Sequence, residues 1–284
     1  MNFQSFLASV PMTADPPIAG IPWFTNSILV TLIVTVLLVI FCRIATKNIQ
    51  VVPKGSQNLF EILVEGLYDM FEGIVGKHMI SKCFTLLATL FIFILAANWF
   101  GLFPGVGTIG FGEKSGPLSL STVTRPLLRP SSADLNMTLA MATLFMVLWL
   151  YWTIREVGAG GFIAHIFAPK GGLKGALALA LLPIFIFVGL IEIVSIAFRP
   201  VSLSLRLFGN IFAGETLLHE MGSLGSGAGA PWSYILAVLI PLPFYFLELL
   251  VGLLQALVFA LLCAVYIQLS TSHDEEEGHE AHAH

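Results

Sequence analysis

The sequence predicts an all-α integral membrane protein, and three observations support this fold class. Apolar residues make up 57% of the 284 residues, and charged residues make up only 11%. The mean hydropathy is +0.90, whereas a soluble domain carries about a quarter charged residues. The apolar residues also form runs long enough to cross about 30 Å of hydrocarbon as helices. A cytosolic globular enzyme is therefore excluded.

The first, second and third apolar runs are each predicted to cross the membrane as one helix. The first covers residues 23–44, and no Lys or Arg precedes Arg43, so we expect it to be retained and not cleaved as a targeting segment. The second covers residues 84–103 within a longer uncharged stretch. The third covers residues 136–154 and is followed directly by Arg155 at a predicted membrane interface.

Residues 56–77, between the first two spans, are predicted to form an amphipathic helix that does not cross. Its apolar residues recur at three- and four-residue intervals, and its acidic residues share the opposite face. Such a helix lies on a membrane surface or against a neighbour, although a simply solvated face is an open alternative. The apolar positions are Leu59, Phe60, Leu63, Leu67, Met70, Phe71 and Ile74, and the acidic positions are Glu61, Glu65, Asp69 and Glu72.

Residues 175–221 are apolar throughout but contain several ionisable side chains, so hydropathy leaves two alternatives open. The stretch forms either two short spans broken at Arg199-Pro200 or one long tilted helix, because proline can kink a membrane helix without ending it. A charge at the bilayer centre costs about 2.5 to 3.5 kcal/mol, so these side chains are candidate functional residues. One narrow polar stripe of the helix contains Glu192, Ser195, Arg199, Ser202, Arg206 and Asn210.

Arg206 has no counter-ion on its own stripe, because the neighbouring Ser202 and Asn210 cannot neutralise it. We therefore expect its counter-ion to come from another chain, and a guanidinium stays charged at any biological pH. A purely structural alternative is a set of buried salt bridges that fixes helix register, with Glu192 paired to Arg199.

The last apolar run, residues 232–270, is predicted to form the final helix. It carries Glu248 and Gln255, which share a face and need polar partners in an apolar environment. If the last two long helices are antiparallel, Glu248 comes to the level of Glu215 and Gln255 to that of Arg206.

Charge placement predicts the orientation, because Lys and Arg accumulate in cytoplasmic loops. The loops after spans one and three carry more of them than the loop after span two, which places the N-terminus outside. A single traverse by residues 175–221 then leaves the C-terminus in the cytoplasm. The first group is Arg43, Lys47, Lys54, Lys77, Lys82, Arg155, Lys170 and Lys174, and the second is Lys114, Arg125 and Arg129.

The remaining composition argues against nucleic-acid, metal and cofactor binding. Lys and Arg number 13 against 17 Asp and Glu, a net charge of −4, which suits no nucleic-acid partner. Cys42, Cys83 and Cys263 show neither disulfide nor metal-site spacing and are expected to act as small hydrophobes. Residues 273–284 are predicted to be a disordered acidic and histidine-rich tail without a specific metal site.

Residues 199–215, RPVSLSLRLFGNIFAGE, resemble the signature of the membrane-embedded a subunit of F-type ATP synthases. The resemblance implies a single membrane domain over residues 1–284 with five membrane-crossing helices, of which the last two form a long tilted hairpin. It favours one helix over residues 175–221 and places the amphipathic helix at the cytoplasmic surface. Three further stretches extend the resemblance: NWFGLFPG (98–105), PSSADLNMTLAM (130–141) and residues 255–266.

By this resemblance the protein is a non-catalytic, proton-translocating subunit in a bacterial inner membrane. Its implied partners are a ring of c subunits, the b-subunit peripheral stalk, other ATP synthase subunits and membrane lipid. Arg206 matches the family's essential arginine, which faces the ring carboxylates and separates two offset half-channels. The proton-path positions match Asn210, Glu215, Glu248 and Gln255 on the outer side, and Glu192, with Ser195 and Ser202, towards the cytoplasm.

One departure from the family pattern concerns Glu248, where several bacterial relatives carry histidine. Glu215 then faces a second carboxylate, and two nearby carboxylates disfavour joint ionisation and can share a proton. His219, one turn from Glu215, is a candidate for part of the missing histidine's role.

A secondary transporter or cation/proton antiporter is the alternative function, because such proteins also keep charges at the membrane midplane. The chain contains no second copy of the segment around Arg206. An intramembrane protease lacks support, because His219-Glu220 is not followed by a histidine at zinc-ligand spacing. The sequence does not decide whether the translocated ion is H⁺ or Na⁺.

Overall fold

A computed structural model describes residues 24–103, 106, 110–112, 123–167, 176–226 and 232–271. Within these residues, five helices are long and apolar enough to cross a membrane, so the predicted all-α membrane fold is confirmed. The five helical stretches are Asn26–Thr46, Lys77–Gly101, Leu135–Ile163, Pro183–Gly222 and Leu242–Ser270.

The first two helices are α1 (Asn26–Thr46) and the amphipathic α2 (Ser56–Val75). The side chain of Thr25 caps α1 by accepting a hydrogen bond from the Ile28 amide at 3.3 Å. Helix α2 buries Leu67 and Phe71, as its periodicity predicts.

Helix α3 (Lys77–Gly101) begins seven residues before the predicted second span at residue 84 and ends two residues before residue 103. Only Gly76, at φ +84°, separates it from α2, because glycine tolerates this left-handed conformation and lets the chain turn sharply. Lys77 and Lys82, which charge placement assigns to the loop after the first span, lie within the first turns of this helix.

The connection after α3 contains the short antiparallel strands β1 (Gly110–Gly112) and β2 (Val123–Pro126), which the sequence did not predict. Their Cα partners include Gly110 with Pro126, and the register shifts after Phe111. A buried 3₁₀ turn, Ser131–Ala133, then leads into the next helix.

Helix α4 (Leu135–Phe167) extends beyond the predicted third span, 136–154, and changes direction at Gly158, where φ is +81°. The charges after residue 154 do not end the helix, because they are accommodated at its surface. Lys82 of α3 donates to Glu156 at 2.6 Å in an exposed ion pair.

Residues 176–226 form one continuous helix, α5 (Ala176–Ser226), which passes through Pro183 and Pro200. The structure therefore has the long helix and not two short spans. The predicted last helix, 232–270, is instead divided into α6 (Trp232–Leu239) and α7 (Leu242–Thr271). The break falls at Pro241, which has no N–H to donate to the preceding turn.

Helices α5 and α7 lie antiparallel; α5 packs mainly on α4, and α7 packs on both α3 and α4. Their shared core includes Leu87, Phe145, Leu207 and Phe259, all less than 2% exposed. The opposite side of α5 presents a long row of exposed apolar side chains, which suits contact with lipid or with another membrane chain. This row includes Phe187, Leu190, Val194, Phe198, Val201 and Leu205.

Candidate functional site

The polar residues of the two long helices meet at two levels, and the first is a pair of amides. Asn210 Nδ2 donates a 2.6 Å hydrogen bond to Gln255 Oε1. Gln255 is buried, whereas Asn210 is exposed at the edge of the helix pair. Within the described chain, Gln255 Nε2 is buried and has no hydrogen-bond partner. The amide pair therefore keeps one donor available at the helix interface.

The second level is formed by Glu248, which is only 5% exposed. Its carboxyl group occupies the space in which a Cβ on Gly214 would lie. Any larger residue at position 214 would thus displace the carboxyl group. The missing side chain on α5 leaves room for the Glu248 carboxyl against Gly214, the residue that precedes Glu215 in the chain.

Glu215 and Glu248 line the same cavity, with a volume of about 240 Å³. In the described part of the chain, Glu215 Oε2 is buried without a hydrogen-bond partner, an arrangement that is costly for a permanent carboxylate. The cavity is large enough for several water molecules at about 30 Å³ each. Other lining residues are Asn98, Gly101, Pro130, His219 and Tyr245.

The cavity lies at the end of the bundle where α3 ends and the 3₁₀ turn leads into α4. Glu215 interacts electrostatically with Arg129, a buried arginine of this connection, and with His219. The Arg129 guanidinium also donates to the Ala133 carbonyl at 3.2 Å. Two carboxyl groups and an imidazole around a cavity with room for water can accept and release protons.

Arg206 lies on an exposed face of α5, one turn from Asn210. Among the residues that the structure describes, none forms a hydrogen bond or ion pair with Arg206. Ser195 and Ser202 are also exposed along this stripe. The guanidinium is therefore accessible to a group on another chain.

Arg199, on the same stripe, has a different environment. Its Cζ atom lies 4.6 Å from the ring centroid of Tyr266 and 5.6 Å from that of Trp149, in the range of cation–π contacts. No salt bridge joins Arg199 to Glu192 in the described chain, so the structural alternative of that ion pair is wrong. Aromatic rings from α4 and α7 take up the guanidinium instead. Glu192 is partly exposed and lies on the N-terminal side of Arg199 in α5, whereas Glu215 lies towards the C-terminal end of that helix.

Three polar side chains that were not predicted as functional, Asn98, Trp99 and Ser132, join α3 to α7 and the 3₁₀ turn to α3. Asn98 Nδ2 donates to the Gly252 carbonyl at 3.1 Å, and Ser132 Oγ donates to Asn98 Oδ1 at 2.8 Å. Trp99 Nε1 donates to the Leu249 carbonyl at 3.2 Å. The signal was an asparagine inside an apolar helix, a residue type that is rarely kept there without a partner.

The histidine-rich stretch of residues 273–284 lies outside the described residues. Within the described ranges, no cluster of three or more His, Cys, Asp or Glu side chains is arranged to hold a metal ion. Cys42, Cys83 and Cys263 are free thiols, and the last two are buried among apolar side chains.

Comparison with known proteins gives one consistent result. The family model described as ATP synthase A chain matches residues 28–268. ATP synthase subunit a from Trichlorobacter lovleyi is 34% identical over 89% of this chain and 89% of its own length. The protein of that name from Moorella thermoacetica is 31% identical over 85% of this chain and 88% of its own. A sodium-ion-specific ATP synthase subunit a from Propionigenium modestum is 32% identical over 86% of this chain and 73% of its own.

Proposed function

The chain belongs to the ATP synthase A chain family, and on that premise we propose that it conducts protons through two half-channels separated by Arg206. As a member of this family, it is a membrane subunit that takes part in ion transport and ATP synthesis with other ATP synthase subunits. In the proposal its own role is translocation and involves no bond chemistry. The nucleotide chemistry belongs to other subunits.

The observation that carries the proposal is the exposed guanidinium of Arg206, whose exposed neighbours on the same stripe of α5, Ser202 and Asn210, carry no charge. A charge at this depth needs a counter-ion, and no described residue of this chain supplies one. The carboxylates of a c-subunit ring would supply it one after another as the ring turns. The fixed charge then favours the ionised carboxylate during its passage and blocks direct proton transfer between the half-channels.

The outer half-channel is proposed to run through the cavity that Glu215 and Glu248 share. Protons would pass from these carboxyl groups towards Asn210 and Gln255, which are hydrogen-bonded to each other at the level next to Arg206. Two neighbouring carboxyl groups can hold one proton between them, which suits a relay. His219 is proposed to assist Glu215 from the same cavity.

The cytoplasmic half-channel is proposed to pass Glu192, with Ser195 and Ser202 along the same stripe of α5. These residues lie towards the end of the helix opposite to the cavity. Each proton that crosses contributes about 2.3 kcal/mol per 100 mV, which rotation of the ring couples to ATP synthesis. ATP hydrolysis would drive the same steps in reverse.

The proposed location is a bacterial inner membrane, with the N-terminus outside and the C-terminus in the cytoplasm. The c ring would cover the exposed face of α5, and the b-subunit stalk and lipid would cover other apolar surfaces. The alternative of a secondary transporter or cation/proton antiporter is not favoured, because the family match covers residues 28–268.

Copurification and ion pumping test this proposal together. The tagged chain should purify with a c ring and the catalytic head, and ATP should acidify the interior of inverted vesicles without added sodium. A sodium requirement would leave the rotary role in place and change the ion, as the name of the Propionigenium modestum relative states for that protein. Purification without other ATP synthase subunits would contradict the proposal.

A further inference from the structure

Two hydrogen bonds attach the middle of α7 to the end of α3, and a third joins the end of α3 to the 3₁₀ turn. Asn98 is central, because its amide donates to the Gly252 carbonyl and accepts from the Ser132 hydroxyl. The Trp99 indole donates to the Leu249 carbonyl one turn away. Asn98 and Ser132 are 2% and 1% exposed, so bulk water competes little for these bonds.

Close backbone packing accompanies the hydrogen bonds. A Cβ on Gly252 would lie 3.2 Å from Asn98 Cβ, tighter than ordinary van der Waals contact. At the end of α3, a Cβ on Gly101 would lie 2.8 Å from Pro130 Cβ. Gly252 thus lets α7 approach α3 closely, and Gly101 lets the end of α3 approach the residue before the 3₁₀ turn.

The attachment falls between the two polar side chains of α7. Leu249 follows Glu248 directly, and Gly252 lies three residues before Gln255. Each residue of an α-helix turns by about 100°, so a modest rotation of α7 would remove the Glu248 carboxyl from its place against Gly214. The same rotation would move Gln255 away from Asn210.

We propose that Asn98 is a positioning residue that holds α7, through the Gly252 carbonyl, in the rotation that places both Glu248 and Gln255. The inference rests on the proposed role of these two side chains in translocation. Asn98 also borders the cavity, so a simple role in lining the water path is the competing explanation. Gly252 does not border the cavity, so a variant at this position tests the positioning role separately from the lining role.

Cross-linking measures the position of α7 without reference to transport. In complexes with all three native cysteines replaced by alanine, Asn210→Cys and Gln255→Cys are joined by a short thiol cross-linker. Adding Asn98→Leu or Gly252→Ala should lower the yield about fivefold, and Ser132→Ala should lower it less. The control is Thr89→Ala, which removes an exposed hydrogen bond to Thr85 within α3 and should not change the yield.

Proton uptake, normalised to the amount of assembled chain, is then measured with Asn210 and Gln255 intact. Asn98→Leu and Gly252→Ala should each slow it about fivefold. An unchanged cross-linking yield in Asn98→Leu would overturn the proposal. Slow uptake in Asn98→Leu together with normal uptake in Gly252→Ala would also overturn it, because Asn98 would then act only by lining the water path. Normal coupled transport in Arg206→Ala would instead overturn the proposed function and leave the cross-linking result standing.

Discussion

Asn210 and Gln255 form a 2.6 Å amide hydrogen bond that sets the register of the two long helices. Two further contacts join the same antiparallel helices: the Arg199 guanidinium lies over the Tyr266 ring, and Gly214 packs against the Glu248 carboxyl. Three contacts along one interface therefore connect the stripe that carries Arg206 to the polar residues of α7.

Replacing Gln255 by leucine should slow proton uptake while the subunit still assembles. The variant keeps the side-chain volume but removes the acceptor for Asn210 and the buried, unpaired Nε2 donor. A fall of about tenfold is expected, as for the loss of a hydrogen-bonded relay group in a dry site. The measurement is uptake into vesicles stripped of the catalytic head. Uptake at the parent rate would show that the amide pair only fixes register.

Gly214→Ala should severely impair transport, because the new methyl group would occupy the space of the Glu248 carboxyl. The matched control is Gly222→Ala on the same helix, where the nearest atom to a new Cβ is 4.0 Å away. The comparison uses ATP-driven vesicle acidification at equal amounts of assembled complex. Equal activity of both variants would mean that the Glu248 carboxyl does not need its position against Gly214.

Glu248→Gln should slow proton uptake by about tenfold or more, the range for removal of a positioned proton donor or acceptor. It should also simplify the pH dependence, because Glu215 would then titrate without a neighbouring carboxyl group. Uptake is measured across a series of outer pH values in both proteins. The same profile in both would make Glu248 a structural residue.

Tyr266→Leu should weaken the assembled helix bundle, whereas Tyr266→Phe should leave it unchanged. The Arg199 guanidinium lies 4.6 Å from the Tyr266 ring centroid, a contact worth about 1 kcal/mol that phenylalanine retains. The fraction of complex that survives heating in detergent reports the difference. Equal losses in both variants would assign the effect to the hydroxyl group and not to the ring.

Much of the helical fold follows from the sequence, because apolar runs and a 3.6-residue period dictate it locally. The acidic face of α2 and the polar stripe around Arg206 are read directly from residue spacing. The residues at which the helices begin and end are harder to predict from the sequence. The start of α3 at Lys77 depends on the backbone of Gly76, and the break before α7 depends on how Pro241 is accommodated.

The site was predictable where residues of one helix share a face, and less so where elements meet in space. The antiparallel arrangement predicts Gln255 at the level of Arg206, whereas the structure pairs it with Asn210, one turn further along α5. The role of Asn98 does not follow from the sequence, because its partners lie more than thirty positions away in Ser132 and Gly252. The aromatic environment of Arg199 likewise comes from two distant helices.

The most direct test of the central claim is ATP synthesis by vesicles that contain Arg206→Ala under an imposed proton gradient. Because no described residue of the chain pairs with Arg206, the variant should assemble with the other subunits and yet synthesise no ATP. Arg206→Lys should not restore the parent rate, since a compact ammonium group does not reproduce the guanidinium. ATP synthesis by Arg206→Ala at the parent rate would contradict the assignment of Arg206 as the barrier between two half-channels.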